Sequence, residues 1–363
     1  MDGPRAPLDN EFNRVVSFLD QNLRPQGKWS ITSEYPVAFS ETNRGNMRII
    51  VDNEQVLSHA VVRPMIVKTP VGLFKVGGLG SVVTSGAHRN QGLSSQIIES
   101  CIESSRAHGC DFAILWTNLY DFYRKMGFEL VGSEVAILFD REINVDNMDL
   151  KFMESNKVAP EAIHRLYSQH TITTLRTLEE MRKYLQIPNS RIYTAWDQQN
   201  QLKAYAIEGK GADLDGYIHE WGGGVSALVP LLAHIRRTQN RPITVIAPKH
   251  SENLLRTLEG HKLKMNDGFL GMVKILNPSN LISKIKRHAR ALGVEDFVLE
   301  QQGGKYYIGA GDNVFSTDSD ADIARLIFGP VRSSEFKAFD KQTAATLEKV
   351  LPLNMWVWGW DSV

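Results

Sequence analysis

The sequence predicts an α/β (α+β) chain with mixed, mostly antiparallel sheets, built as two units of like topology and a smaller third. Three observations predict it. Apolar runs of strand character (MRIIV, QVLSHAVVRPMIV, GLFKVGGLGSVVT) are separated only by turn residues at 52–54 and 69–72. A helical stripe follows them, and the same order of elements returns in the second half. The 363 residues exceed one ordinary domain and suit two or three.

Taken in order, Phe12, Val15, Val16 and Leu19 repeat at helical spacing behind an Asp9 or Asn10 cap, which predicts a first helix over Asp9–Leu23. After the three strands, Leu93, Ile97, Ile98, Cys101 and Ile102 share one helix face, and Gly109 supplies its stop. A strand over Asp111–Trp116, a short helix holding Tyr120, Phe122 and Tyr123, and one strand over Phe128–Phe139 complete a unit spanning 1–149. The unit 150–277 repeats this order: a helix over Pro160–Gln169, strands RIYTAWD, LKAYAIEGKG and GYIHEWGG, a helix over Val225–Arg237, then ITVIAPK and FLGMVKIL. The repeat is one of topology, without sustained identity. The stretch 278–363 reads as a small α+β unit: a basic helix (LISKIKRHARALG), hairpin strands (FVLEQQGGKYYIGAGDN) and a helix over Asp320–Phe328.

Lys plus Arg and Asp plus Glu both number 41, so no net field draws the chain to nucleic acid or an acidic membrane. No basic segment followed by an apolar run opens the chain, and no stretch approaches the roughly 20 apolar residues of a membrane helix, so a soluble, cytoplasmic protein is expected. Cys101 and Cys110 lack zinc-site spacing and His partners; no metal or disulfide is expected, and Cys101 reads as core. Lys284, Lys286, Arg287 and Arg290 read as a solvated helix face.

Chemistry concentrates in Ser81–Ser94, where a strand ends in a polar, Gly-containing turn that opens a helix. Unpaired backbone N–H groups and the helix dipole at such a start bind a diphosphate without many basic side chains, and Gly92 permits close backbone approach.

Arg89, Gly92 and Ser94 resemble the R/Q-x-x-G-x-G/A signature of the GNAT superfamily of N-acetyltransferases, with Ser94 in place of the usual final Gly or Ala. Downstream, Asp121–Glu129 (DFYRKMGFE) is similar to the superfamily's F-Y-x-K-x-G-F element. The resemblance implies that Arg89, Asn90, Gln91, Gly92, Leu93 and Ser94 bind the diphosphate of acetyl-CoA, and that backbone groups of Val82, Val83 and Thr84 pair with pantetheine and polarise the thioester carbonyl. Asn118 is the candidate for the pantetheine-binding Asn, although it lies closer to Tyr123 than the superfamily's about seven residues. His88 matches a position that is commonly a solvent-facing aromatic or His, not a base.

Acyl transfer to an amine needs a deprotonated amine, a polarised carbonyl and a proton for the departing thiolate. Tyr123 is the candidate donor: a phenol of pKa about 10 against a thiol of about 8.5 leaves transfer uphill by roughly 2 kcal/mol.

Two such units followed by a small α+β domain resemble the enhanced intracellular survival family of tandem acetyltransferases, whose third domain is similar to sterol carrier proteins. That resemblance implies that the terminal carboxylate, here Val363, reaches the first unit's site as the base; Asp361 is the nearest side-chain alternative. Trp356, Trp358 and Trp360 argue that the tail is docked, and an α-carboxylate of pKa about 3.5 needs burial to gain basicity. The second unit lacks the Arg-x-x-Gly arrangement at Gly222–Gly224 and is expected to be non-catalytic, walling a channel with His219, Glu220 and Trp221 as candidate substrate contacts. The expected reaction is acetylation of a primary amine on a small molecule. Acetylation of a protein lysine or N-terminus is the alternative, and a non-enzymatic acyl-CoA or lipid carrier the reading from another class. A homo-oligomer is left open.

Overall fold

The computed structural model describes residues 1–145 and 149–363. The first stretch contains β1 (Asp2–Arg5), α1 (Phe12–Leu23), α2 (Ile31–Glu34), β2 (Met47–Asp52), β3 (Gln55–Thr69), β4 (Gly72–Thr84), α3 (Leu93–Ala107), β5 (Phe112–Leu115), α4 (Tyr120–Arg124), β6 (Glu129–Val131) and β7 (Glu134–Phe139). The second contains β8 (Lys151–Glu154), α5 (Pro160–Tyr167), β9 (Thr173–Thr174), α6 (Leu178–Tyr184), β10 (Arg191–Trp196), β11 (Leu202–Lys210), β12 (Asp213–Gly223), α7 (Val225–Gln239), β13 (Ile243–Pro248), α8 (Glu252–Gly260), β14 (Lys264–Gly268) and β15 (Gly271–Ile275). Then come α9 (Pro278–Ala291), β16 (Phe297–Gln302), β17 (Lys305–Ala310), β18 (Asn313–Thr317), α10 (Asp320–Phe328) and α11 (Lys341–Leu347). The mixed α/β class with mostly antiparallel pairing is as the sequence predicts.

Among the described residues, the first sheet runs β1-β2-β3-β4-β5-β15-β6, with β9 beside β3, and the second runs β14-β7-β13-β12-β11-β10-β8. Two elements depart from the sequence reading. The single strand expected over Phe128–Phe139 divides at Gly132 and Ser133: β6 stays in the first sheet and β7 enters the second. The Phe269 run belongs to the first sheet as β15, while β14 lies in the second. Since β6 pairs with β15 and β7 with β14, residues 129–139 and 264–275 form one antiparallel ribbon shared by both sheets. Apolar alternation marks strands, not their partners, so the exchange could not be read from the pattern.

The first sheet separates two apolar layers. On one face α3 buries Leu93, Ile97, Ile98, Cys101 and Ile102 against Leu79, Leu115, Tyr123 and Phe128. On the other, α1 and the following segment bury Val15, Leu19, Ile31 and Phe39 against Met47, Ile49 and Val61. Cys101 is core, as expected, and burial pushes its thiol up to about 12. α9 is not merely solvated: Lys284 reaches the buried Asp111 carboxylate at 2.6 Å, tying the third unit to the start of β5. Among the described residues no helix is long and apolar enough to cross a membrane.

At the ribbon's crossing point Gly132 has φ +74°, and a Cβ there would collide with Leu270. Gly132→Val should therefore destabilise the chain by about 1–3 kcal/mol. Because the ribbon belongs to both sheets, chemical denaturation followed by fluorescence and by far-UV circular dichroism should remain a single coincident transition. Separated transitions would show that the sheets unfold independently.

Candidate active site

β4 is paired on both sides only as far as Gly78. Its parallel register with β5 covers Val76, Gly77 and Gly78 opposite Phe112, Ala113 and Ile114, and beyond that the edge of Leu79–Thr84 facing β5 is free. On its other side the register with β3 slips between His59 and Val61, where Ser81 adopts φ +50°. The bulge thus lies just beyond the point where β4 loses β5 as a neighbour, on the way to the turn into α3.

That turn leaves the first N–H groups of α3 without a side-chain cap. Arg89, Asn90, Gln91 and Gly92 are exposed, and Gly92 caps α3 in the left-handed region at φ +77° with no side-chain cap on the helix N–H groups. Asn90 is also left-handed at φ +63°. Leu93 is buried beneath the turn and holds it to the sheet. Ser94 does more than leave room: its hydroxyl lies 2.8 Å from that of Thr84, which in turn lies 2.7 Å from Ser58, so the helix start is laced to the end of β4. Val82 packs toward the α3 layer and Val83 toward the α1 layer. Asn118 is exposed in the loop after β5.

Tyr123 lies on the α3 face of the sheet, in the apolar layer that also holds Leu79 and Leu115. It is 6 % exposed, with edge-on rings at Phe122 and Phe128. Burial, with a smaller contribution from Cys101, pushes its hydroxyl up to about 12, so it is fully protonated at any working pH. Full transfer to a thiolate of pKa about 8.5 would then be uphill by ~5 kcal/mol.

The C-terminus comes to β4 from the opposite face. Val363 packs against the α1 layer. A Cβ on Gly80 would lie 2.6 Å from a Val363 oxygen, and one on Gly78 would lie 2.9 Å from its side chain. The two glycines are what let the chain terminus rest on the strand beside the bulge.

The residues before Val363 are not the edge strand that the three tryptophans allow, but an extended segment ending in a short turn over Gly359–Asp361. Asp361 holds it. This carboxylate is 0 % exposed and accepts from Arg63, Arg176, Tyr167 and Tyr184 at 2.7–3.2 Å. Burial alone would oppose its ionisation, but Arg176 and then Arg63 overcome it and hold the group well below the carboxylate range. Asp361 is therefore an anchor and not a base, which removes it as the alternative to Val363. Lys210, 1 % exposed, donates to the carbonyls of Gly359, Trp360 and Ser362 at 3.0, 3.3 and 2.7 Å.

His219, Glu220 and Trp221 fit a substrate channel poorly. Glu220 is 0 % exposed and forms a two-pronged pair with Arg176, both contacts 2.7 Å. His219 is also enclosed, with Nε2 at 3.0 Å from the Gly209 carbonyl and its ring against Gly359. Trp221 donates to the Ile246 carbonyl and edges a separate groove of the second unit. All three support the tail instead. Arg176, the partner of Glu220, and Lys210, which holds the tail, were missed at the sequence level because a buried cation in a strand-rich run has the same pattern as an exposed one.

Residues 23–131 match the family model described as an acetyltransferase (GNAT) domain. No curated protein matches the sequence. Solved structures of like fold include a GCN5-related N-acetyltransferase from Anabaena variabilis (17 % identity, 99 % of each chain covered, TM-score 0.70). Another from Kribbella flavida shows 13 % identity, 97 % coverage of each chain and a TM-score of 0.66. Eis1 from Mycobacterium abscessus shows 9 % identity, covers 99 % of this chain and 98 % of its own, and has a TM-score of 0.59. At these identities the structures show the fold, and the family model covers residues 23–131.

Two outcomes test the anchor. Arg176→Met should cost about 3–5 kcal/mol of stability in denaturant titration by leaving the buried Glu220 without its guanidinium and Asp361 with only one, whereas an exposed Arg182→Met should cost under about 0.5. Burial, with help from Arg63, also pushes the Lys210 ammonium down to about 7. The unfolded chain binds that proton up to about pH 10.4, so between about 7 and 10 the unfolded state holds more protons and stability from this group rises with pH. Lys210→Met should flatten that rise in thermal melts at pH 7 and 9, and an unchanged slope would contradict the assignment.

With a glycine-capped helix start at the end of a half-freed strand, a buried phenol on one face and a matching family model over the same residues, the chain is an N-acetyltransferase that takes its acetyl group from acetyl-CoA.

Proposed function

We propose that the chain acetylates a primary amine of a small molecule by direct attack on the thioester, within a first catalytic unit (1–149) supported by a degenerate second (150–277) and a sterol-carrier-like third (278–363). The observation that carries this reading is the seat of the Val363 carboxyl group over Gly80, on the face of β4 opposite Tyr123.

In this reading the diphosphate of acetyl-CoA lies on the turn Arg89–Ser94 and its pantetheine arm along Val82–Thr84, with Asn118 at the mouth. The Val363 carboxylate takes a proton from the acceptor amine. The amine nitrogen forms its bond to the carbonyl carbon, the C–S bond breaks, and Tyr123 gives its hydroxyl proton to the departing sulfur. The proton held by the carboxylate then returns through solvent to the tyrosinate, closing the cycle. The arrangement separates acid from base by the thickness of the sheet, so neither neutralises the other.

A small acceptor is favoured by what closes the α1 face. Asp213 of the second unit accepts from Arg24 and from the Tyr35 hydroxyl, both at 2.7 Å, and the Ala212 N–H donates to the buried Glu34 at 3.1 Å. A cleft of about 520 Å³ remains between α1 and Ser85, lined by Arg14, Ser17, Phe18 and Asn22, within the range of small-ligand sites. An open groove for a folded protein would need that face uncovered.

Removing Ser362 and Val363 should lower kcat by about 10²-fold or more, as loss of a proton-transfer group does, with acetyl-CoA affinity within about twofold. Tyr123→Phe should do the same. A panel of small amines and peptides decides the acceptor: turnover of peptides or folded proteins alone would replace the small-molecule reading by the protein-acetylating one.

A further inference from the structure

His59 is a buried titratable side chain that the reaction above does not use. It sits on β3, directly opposite Val83, and is 0 % exposed. Its Nδ1 lies 2.9 Å from the carbonyl oxygen of Ser81, and its Nε2 is buried with no partner among the described residues. The ring lies flat against Phe39, centroids 6.0 Å apart at 23°.

These contacts define the state of the ring. A carbonyl only accepts, so Nδ1 carries the hydrogen and Nε2 the lone pair. Burial pushes the imidazole down to about 4, with the Ser81 contact opposing, so the neutral, Nδ1-protonated form holds throughout the neutral range. What it grips is the bulge. Ser81 is a non-glycine residue at φ +50°, in the segment where β4 gains one residue over β3 and loses β5 as a neighbour. A positive φ at a serine persists only where its surroundings hold it. A trans peptide sets its N–H opposite its C=O, so a Ser81 oxygen held toward the imidazole turns the Val82 N–H away from it.

We propose that His59 is a positioning residue: its Nδ1–H, by holding the Ser81 carbonyl, sets the direction in which the backbone N–H groups of Val82–Thr84 meet the thioester. This rests on the acetyl-transfer geometry above. His59 touches neither substrate; it acts through the strand. An oxyanion donor works only when aimed at where charge develops, and losing one costs about 10²–10³ in kcat, so a bulge free to relax should lose part of that.

The test uses the full chain with [1-¹³C]acetyl-CoA and isotope-edited infrared spectroscopy of the bound thioester carbonyl, alongside kcat and acetyl-CoA affinity. His59→Leu removes the donor, His59→Asn keeps one at the Nδ1 position, and His59→Gln moves it to the Nε2 position. The bound carbonyl of the parent should absorb at lower frequency than free acetyl-CoA. In His59→Leu and His59→Gln it should shift back toward the free value, with kcat down by at least about tenfold and affinity within about twofold, while His59→Asn restores both. Should His59→Leu fail to fold, the Asn and Gln pair makes the same comparison. An unchanged carbonyl frequency in the Gln and Leu variants, or equal loss in Asn and Gln, overturns the role while leaving the reaction intact. If the parent chain binds no acetyl-CoA, the proposed reaction falls and this role with it.

Discussion

The structure depends on one carboxylate. Asp361 lies two residues from the chain end and is closed off from water, and a carboxylate so placed is tolerable only because two guanidiniums and two phenols meet it. Those partners come from β3 of the first sheet (Arg63), from the β9–α6 segment (Arg176) and from α5 and α6 (Tyr167, Tyr184). Arg176 carries the second charge of the cluster by pairing with Glu220 on β12. The tail can therefore dock only on a molecule in which all of these elements are assembled, and Val363 reaches β4 only when the tail is docked. The last residues of the chain thereby report on the fold of everything before them.

Assembly is enforced a second way by the ribbon of residues 129–139 and 264–275. Each sheet lends the other a hairpin's worth of backbone hydrogen bonds, so neither can be completed by its own stretch of sequence alone. The consequence for chemistry is positional. The first sheet keeps a fixed tilt against the unit that carries Lys210 and Arg176, and the terminus is delivered to Gly78 and Gly80 without a hinge between them.

Much of this was legible in the sequence, for identifiable reasons. The turn Arg89–Ser94 and the aromatic helix at Tyr123 are local: their function lies in contiguous residues, and both fall where the reading placed them. The tail's docking was legible from three tryptophans that water would not tolerate loose. What escaped is non-local. Strand partners do not show in alternation, so β7 and β15 exchanged sheets unannounced. His219 and Glu220 looked like channel residues because polar groups in an apolar strand signal either function or a buried partner, and the partner, Arg176, lies 44 residues away from Glu220. His59 gave no signal at all beyond being a lone histidine in a strand.

The second sheet has a parallel pair of its own. β12 and β13 pair in parallel only at Tyr217 with Thr244 and Ile218 with Val245, so these strands also part toward their ends as β4 and β5 do. There the gap is bridged. Trp221 of β12 donates its indole N–H to the Ile246 carbonyl of β13 at 3.0 Å, and the rings of Trp358 and His170 close over it at 5.1 and 5.3 Å. In the first sheet the corresponding edge, Gly78–Val83, carries no aromatic ring, and the strand end is held by hydroxyls instead. The first sheet leaves its diverging strands unbridged at Leu79–Thr84; the second closes the gap with the aromatic tail that also carries Val363. The tail that closes the gap in the second sheet is thus the same segment that brings Val363 to β4 of the first.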